Sequence, residues 1–253
     1  MPEKPTLSVA MIANNEEKNV NRSLSSAGWA DEIVFVDCGS HDDTELEARK
    51  FPVRYFARPN SLAVYVNKQF AVDQCAKDWI LILDADEEIT PELKAAIQAF
   101  MAEPGGAAAA AMPRRNFYFG RWLRHGGKYP DTQLRLFRRG KARFLPLPVH
   151  ERLEVDGPVA RLAEPLLHYP YSDDEDRRRK LAFYTEILTR SYALKERSRV
   201  FILLRPFSRF FGSYILKLGF LDGLAGLRVA LMDFRTVLAS ALLYMRTGGA
   251  GRQ

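Results

Sequence analysis

A chain of 253 residues, 47% hydrophobic and 27% charged, has room for one large domain or a domain with an appendage, and its composition excludes a disordered or fibrous protein. Two cysteines, Cys38 and Cys75, exclude a disulfide framework and point to a reducing compartment, and no stretch approaches the ~18 uncharged apolar residues that a spanning helix needs. The net charge of +6 is uneven: residues 171–253 hold 15 Lys and Arg against 8 Asp and Glu, a net of +7, while the first 170 hold the other 22 and 23, a net of −1, and such a basic tail suits nucleic acid or an anionic membrane surface.

The first hundred residues alternate strand and helix patterns. "LSVAMIA" (7–13) reads as a strand, and a helix is expected over 14–27, with Asn14 or Asn15 as its cap and Glu16 and Glu17 in its positive first turn. "EIVFVD" (32–37) is a second strand, followed by a helix over 39–51. A third strand at 53–57 leads to a helix over 62–76. "WILILDAD" (79–86) is the fourth strand, and the helix after it has Thr90 as cap and Pro91 at its first position. Continuous apolar strands between helices imply an α/β architecture, a mostly parallel sheet covered on both faces, with ligands beyond the carboxyl ends of the strands. Asp37 and Asp84 stand at two such ends. "EPGGAAAAAM" (103–112) leads into a further strand, and "QLRLFRR" and "RLEVDG" look like strands in an Arg- and aromatic-rich second half.

The chemistry concentrates where the fourth strand ends in "DADEE". If that segment stays extended, Asp84 and Asp86 share a face with their carboxylates about 7 Å apart. Two such anions need a cation between them, and Mg²⁺ or Mn²⁺ suits hard oxygen ligands with substrate phosphates completing the shell. The plainer reading of the same acids is a solvated loop that caps the next helix.

"LSVAMIANNEE", "EIVFVDCGSHDDT" and "DWILILDADEE", in that order, resemble the nucleotide-sugar half of family 2 inverting glycosyltransferases of GT-A fold. "HGGKYPDTQLRLFRR", "PVHERLEVDG" and "LLHYPY" resemble more narrowly the bacterial lipopolysaccharide core glucosyltransferases. The resemblance implies a GT-A catalytic domain over 1–170, with a nucleotide-sugar half (1–102) and an acceptor half (103–170), followed by a helical basic region over 171–253. It implies that Ile12, Asn14, Asn15 and Asp37 line the nucleotide pocket. Lys68 would reach the base or a phosphate, Asp84 the ribose or sugar, and Asp86 the metal, with His168 as a further metal or phosphate ligand. Many relatives carry a second acid where this chain has Cys38. Glu87 either supports the loop or begins the next helix.

Inverting transfer needs a base for the acceptor hydroxyl. Glu151 in "PVHERLEV" stands ahead of Asp131 in "KYPDTQLR" for that role, and either could instead pair with Arg135, Arg138 or Arg152. The expected donor is a UDP-sugar, the expected acceptor a glycolipid or other lipid-linked saccharide, and no nucleic acid is expected. A sugar nucleotidyltransferase would need a Gly-rich basic loop that "IANNEEKN" lacks. A haloacid-dehalogenase-type phosphatase would place D-x-D on the first strand. A non-catalytic nucleic-acid-binding protein would explain the tail and leave the first half without a purpose.

Helical spacing continues over 176–198 and 224–246, and the stretch between interleaves Arg and Lys with Phe and Tyr around Pro206 and Gly212, which are expected to break or bend it. These helices either pack on protein or lie in a membrane interface, which would make the enzyme cytoplasmic and peripheral to the inner face of the bacterial cytoplasmic membrane.

Overall fold

The computed structural model describes residues 4–146, 152–194 and 197–247. They form two compact units, one of Met1–Arg114 and Thr132–His168, the other of Arg115–Asp131 and Tyr169–Gln253. The stretch 115–131, assigned to the catalytic domain by the sequence reading, thus groups with the C-terminal helices.

The first unit begins β1 (Leu7–Ala13), α1 (Glu17–Ala27), β2 (Glu32–Asp37), α2 (Thr44–Ala48), β3 (Arg54–Ala57), α3 (Val64–Gln74), β4 (Trp79–Ile82). A two-residue strand, β5 (Glu87–Glu88), precedes α4 (Pro91–Ala102) and β6 (Ala109–Met112). The chain then supplies β7 (Arg114–Tyr118) and β8 (Arg121–Trp122), an antiparallel hairpin that belongs to the second unit except for Arg114. It continues as β9 (Gln133–Arg138), β10 (Ala142–Phe144), β11 (Leu153–Val155), β12 (Val159–Arg161) and β13 (Leu166–His168). The main sheet has the order β12-β6-β9-β4-β1-β2-β3. It is parallel at β1–β2, β1–β4, β2–β3 and β6–β12, and antiparallel where β9 lies between β4 and β6.

Both sheet faces are covered, which is why the strands read as unbroken apolar runs. Leu7, Val9 and Met11 of β1 pack with Val20 and Leu24 of α1 and Leu93 and Ile97 of α4. Ala10, on the other face, joins Val34, Val36, Ile80 and Ile82 against Ala71 and Val72 of α3. Thr90 caps α4, accepting the Leu93 N–H at 3.1 Å, as its sequence position predicts.

Several expected elements are shorter than read, α3 and β3 by a few terminal residues and α1, α2 and β4 for identifiable reasons. α1 starts at Glu17 without a side-chain cap, because Asn14 and Asn15 are engaged by the loop after β2. α2 has five residues, because Asp42 turns the chain by accepting the Thr44 N–H and hydroxyl. β4 leaves the ladder after Ile82, four residues before the expected end.

In the second unit, α5 (Asp174–Leu194) and α6 (Arg199–Phe211) are followed by a π turn (Gly212–Leu216), a 3₁₀ turn (Gly219–Asp222) and α7 (Gly223–Arg246). Leu123 packs with Ala225, Val229 and Met232, and Tyr192 with Ile202 and Ala241. A Cβ at Gly226 would lie 2.0 Å from the Gly219 carbonyl oxygen, so the start of α7 can sit on the 3₁₀ turn only with glycine there. α6 runs through Pro206 rather than breaking, and the irregularity falls at Gly212. Among the described residues no helix is long and apolar enough to cross a membrane.

Candidate active site at the end of the fourth strand

Residues 84–87 form a turn closed by the Glu87 N–H donating to the Asp84 carbonyl at 2.9 Å. With the extended geometry gone, the two aspartates do not share a face as the sequence reading supposed, and their mutual repulsion is relieved by separate partners. Asp84 Oδ1 is 3.0 Å from Lys68 Nζ, and Asp84 Oδ2 accepts from Arg135 Nη2 at 2.5 Å. Asp86 Oδ1 lies 3.6 Å from His168 Nε2.

Strand register brings these groups together. Leu136 of β9 pairs with Leu81 of β4, which sets Arg135 beside the last residues of β4. His168 of β13 pairs with Glu87 of β5, one residue beyond Asp86. Lys68 is on α3, the helix that covers this face of the sheet. From α1, the Ser23 hydroxyl donates to the Asp84 carbonyl at 3.3 Å and the Ser26 hydroxyl accepts the Ile89 N–H at 3.1 Å.

Glu87 is fully buried. It accepts from Arg135 Nη2 at 2.6 Å, from Arg114 Nη1 at 3.0 Å and from the Asp84 N–H at 3.0 Å. Lys68, Arg114 and Arg135 therefore answer Asp84 and Glu87, a dense set of charges kept by mutual pairing and hydrogen bonds. Burial works against ionisation of Asp84, but the Arg135 guanidinium and then the Lys68 ammonium hold its carboxyl far below the usual range. Burial also opposes the charge on Arg135, and the Asp84 and Glu87 carboxylates overcome it and raise its pKa.

A divalent ion fits the remaining pair. The Asp86 and His168 side chains, 17% and 12% exposed, present a carboxylate oxygen and an imidazole nitrogen to the same space. Among the described residues no three His, Cys, Asp or Glu side chains cluster as a metal cage. Two protein donors are what an ion that takes substrate phosphates and water would need.

The loops after β1 and β2 are stapled to each other beside this turn. Asn14 Nδ2 donates to the Cys38 carbonyl at 2.8 Å and to the Gly39 carbonyl at 3.2 Å. Asn15, at φ +54°, donates its N–H to Ser40 Oγ at 2.8 Å and accepts the His41 N–H at 2.7 Å. Asp37 is buried, accepting the Ser40 N–H and the Tyr55 hydroxyl, both at 2.9 Å. Its carboxylate shapes the turn. Ile12 is half-buried against the α3 side of the core. Asp131 is in the second unit, where Oδ2 accepts from Asn116 Nδ2 at 3.2 Å. Glu151 lies outside the described residues.

A model of the family described as glycosyl transferase family 2 matches residues 8–154, more than half of the chain. The chain belongs to this family. The matched stretch runs from β1 through β11 and so includes the Asp84–Glu87 turn. The lipopolysaccharide core biosynthesis glycosyltransferase LpsC of Rhizobium meliloti (strain 1021) is 32% identical over 177 residues, 67% of this chain and 64% of that protein. An uncharacterized glycosyltransferase of Rickettsia conorii is 36% identical over 97 residues, 38% of this chain and 34% of its own length. The matches thus span less than two thirds of either relative. Among solved structures, S. aureus TarS 1–349 in complex with UDP-GlcNAc superposes with a TM-score of 0.54 at 15% identity, covering 96% of this chain and 92% of that one. Its complex with UDP gives 0.51 at 17% identity over the same shares. This likeness identifies the GT-A fold.

Sequence reading did not anticipate the Arg114–Glu87–Arg135 arrangement. A charged residue at an inward position of a sheet strand, Arg135 between the apolar Leu134 and Leu136, is the signal that could have found it: an inward charge on a central strand requires a buried counter-ion.

Proposed function

We propose that this family 2 member is a metal-dependent inverting hexosyltransferase that moves a hexose, with glucose from UDP-glucose as the leading donor, onto a lipid-linked saccharide such as lipopolysaccharide core. The observation that carries this reading is the division of labour in the turn after β4. Asp84 is neutralised by Lys68 and Arg135, while Asp86 faces His168. The fold shared with TarS, which has been solved with UDP-GlcNAc and with UDP, supports a UDP-sugar donor. The similarity to LpsC, a lipopolysaccharide core biosynthesis glycosyltransferase, supports an acceptor of the lipopolysaccharide class.

In this reading Asp86 and His168 hold Mg²⁺ or Mn²⁺, and Lys68 lies near the donor phosphates. The stapled loops at Asn14, Asn15 and Asp37, with Ile12, bound the nucleotide, and Asp84 approaches the ribose or sugar. The ion, when bound, supplies charge neutralisation to the departing diphosphate. A carboxylate, Glu151 ahead of Asp131, takes the proton of the acceptor hydroxyl. That oxygen bonds to the anomeric carbon as the bond from carbon to the β-phosphate oxygen breaks, UDP leaves with the electron pair, and the anomeric configuration inverts. The test is incubation with a panel of UDP-sugars, Mg²⁺ or Mn²⁺ and a membrane glycolipid extract, with product masses and anomeric configuration read out. A glycolipid gaining one hexose from UDP-glucose is expected. Formation of a nucleotide sugar from a sugar phosphate and a nucleoside triphosphate, without transfer from any UDP-sugar, would replace the proposal with a nucleotidyltransferase.

A further inference from the structure

α6 has two apolar faces. Ile202 and Pro206 are buried, Ile202 beside Tyr192 and Ala241. Val200, Leu204, Phe207 and Phe211, spaced by four, three and four residues, lie on the opposite side of the helix. This second stripe is open: its members are 67%, 60%, 52% and 57% exposed. Leu216, Leu218, Leu221 and Leu224 extend the exposed apolar surface through the π and 3₁₀ turns to the start of α7. A surface helix ordinarily gives solvent its polar face, and monomeric soluble proteins rarely expose so continuous an apolar run.

The charges are sorted as well. Residues 199–232 contain five cations, Arg199, Arg205, Arg209, Lys217 and Arg228, and one acid, Asp222. The Asp222 side chain is only 8% exposed and is engaged by the His125 ring and by the N–H groups of Arg124 and His125. Every well-exposed charge of the segment is therefore positive. On the helical wheel Arg205 and Arg209 lie on the side away from the stripe, Arg205 over the Tyr192 ring and Arg209 3.8 Å from Asp233, whereas the exposed Lys217 stands between the exposed Leu216 and Leu218.

We propose that this face is a membrane-interface surface, with α6 lying in the plane of an anionic bilayer, Leu204, Phe207 and Phe211 among the acyl chains, Lys217 at the headgroups and the segment's excess of positive charge drawing it to the surface. A second copy fits less well, because a two-fold contact sets this net positive segment against itself. The inference rests on the lipid-linked acceptor reading for its purpose, yet its test needs neither donor nor acceptor. A failure here would therefore leave that reading to its own transfer assay with detergent-dispersed glycolipid.

The experiment is flotation of the full chain with phosphatidylglycerol and with phosphatidylcholine vesicles at low and high salt. The protein should float with phosphatidylglycerol at low salt and be released by high salt. Val200→Glu/Leu204→Glu/Phe211→Glu should lower the partition at least ten-fold with an unchanged melting temperature. Lys217→Gln should lower it about five-fold and flatten the salt dependence. If the Glu variant does not fold, Leu204→Trp supplies the readout: brominated lipid should quench its added fluorescence. A parent protein that stays in the soluble fraction with phosphatidylglycerol at low salt overturns the proposal. So does added fluorescence of Leu204→Trp that brominated lipid leaves unquenched, or a dimer in light scattering that the Glu variant converts to monomer.

Discussion

Arg135 on β9 reaches Asp84 beyond the end of β4 at 2.5 Å, and the same Nη2 atom serves Glu87 at 2.6 Å. One guanidinium thus fixes both ends of the turn that carries Asp86. Removing one partner of a buried charge group costs about 3–5 kcal/mol, because the other is left uncompensated. Arg135→Met should destabilise the protein by about that amount in urea unfolding. Arg135→Lys should recover part of it, since it restores charge without the second donor. Equal stability of Arg135→Met and the parent would mean that the turn is held by other contacts.

The same cluster fixes an acid limit. Asp84 is held below its ordinary pKa, so its contribution to stability is fully present above the unfolded value of about 3.9 and is lost as pH falls through the lower folded value. Between pH 7 and 4, Asp84→Asn should therefore show a constant stability deficit relative to the parent, and that deficit should narrow only in stronger acid. Urea titrations at a series of pH values measure it.

The two aspartates should separate by function. Asp86→Asn and His168→Ala should each abolish metal-dependent UDP-sugar binding while the protein stays folded, whereas Asp84→Asn should retain metal dependence with weakened affinity. An imidazole in the donor set favours Mn²⁺ over Mg²⁺, so calorimetry should find tighter UDP-sugar binding with Mn²⁺. Metal-dependent binding by Asp86→Asn that matches the parent would remove Asp86 from the site.

For the base, Glu151→Gln should leave donor affinity intact and reduce turnover by a factor on the order of 10²–10⁴, the range of general base catalysis. Asp131→Asn is the paired measurement. If Asp131→Asn abolishes turnover and Glu151→Gln does not, the two exchange roles.

Both thiols are buried, and burial pushes Cys38 up to about 11 and Cys75 up to about 12. Each favours the folded state fully below the unfolded value of about 8.5, and that contribution is lost as pH rises toward the folded values. Stability should therefore decline above about pH 9. At pH 8 a thiol reagent should modify neither cysteine in the native protein and both in urea. Rapid native labelling of Cys38 would indicate that the loop after β2 opens.

The alternation of strands and helices was legible because β1, β2 and β4 are buried on both faces, so their runs of Val, Ile and Leu carry no competing signal. The end of β4 was misread because sequence alternation cannot reveal where a ladder stops. Asp84 and Asp86 look alike in a row of letters, and only the approach of α3, β9 and β13 separates them. Asn14 and Asn15 were read as helix caps because capping and loop bracing use the same amide chemistry, and the partner, the loop after β2, lies some 25 residues away. Arg135 was read as a possible partner of Glu151 or Asp131, since its partners in the structure, Glu87 and Asp84, are 48 and 51 residues distant.

The hairpin of β7 and β8 and the loop after it are spliced into the chain between β6 and β9, yet they are counted with helices that begin more than forty residues later. This interleaving governs how the protein can be cut. Ending the chain at residue 170 would leave Leu123 without Ala225, Val229 and Met232, and Lys128 without Asp233, its partner at 3.0 Å. Such a fragment would carry an orphaned apolar insert and an unneutralised ammonium, a recipe for insoluble expression. A minimal donor-binding protein is better made by excising 115–131 together with the C-terminal helices and bridging β6 to β9 with a short Gly-containing linker.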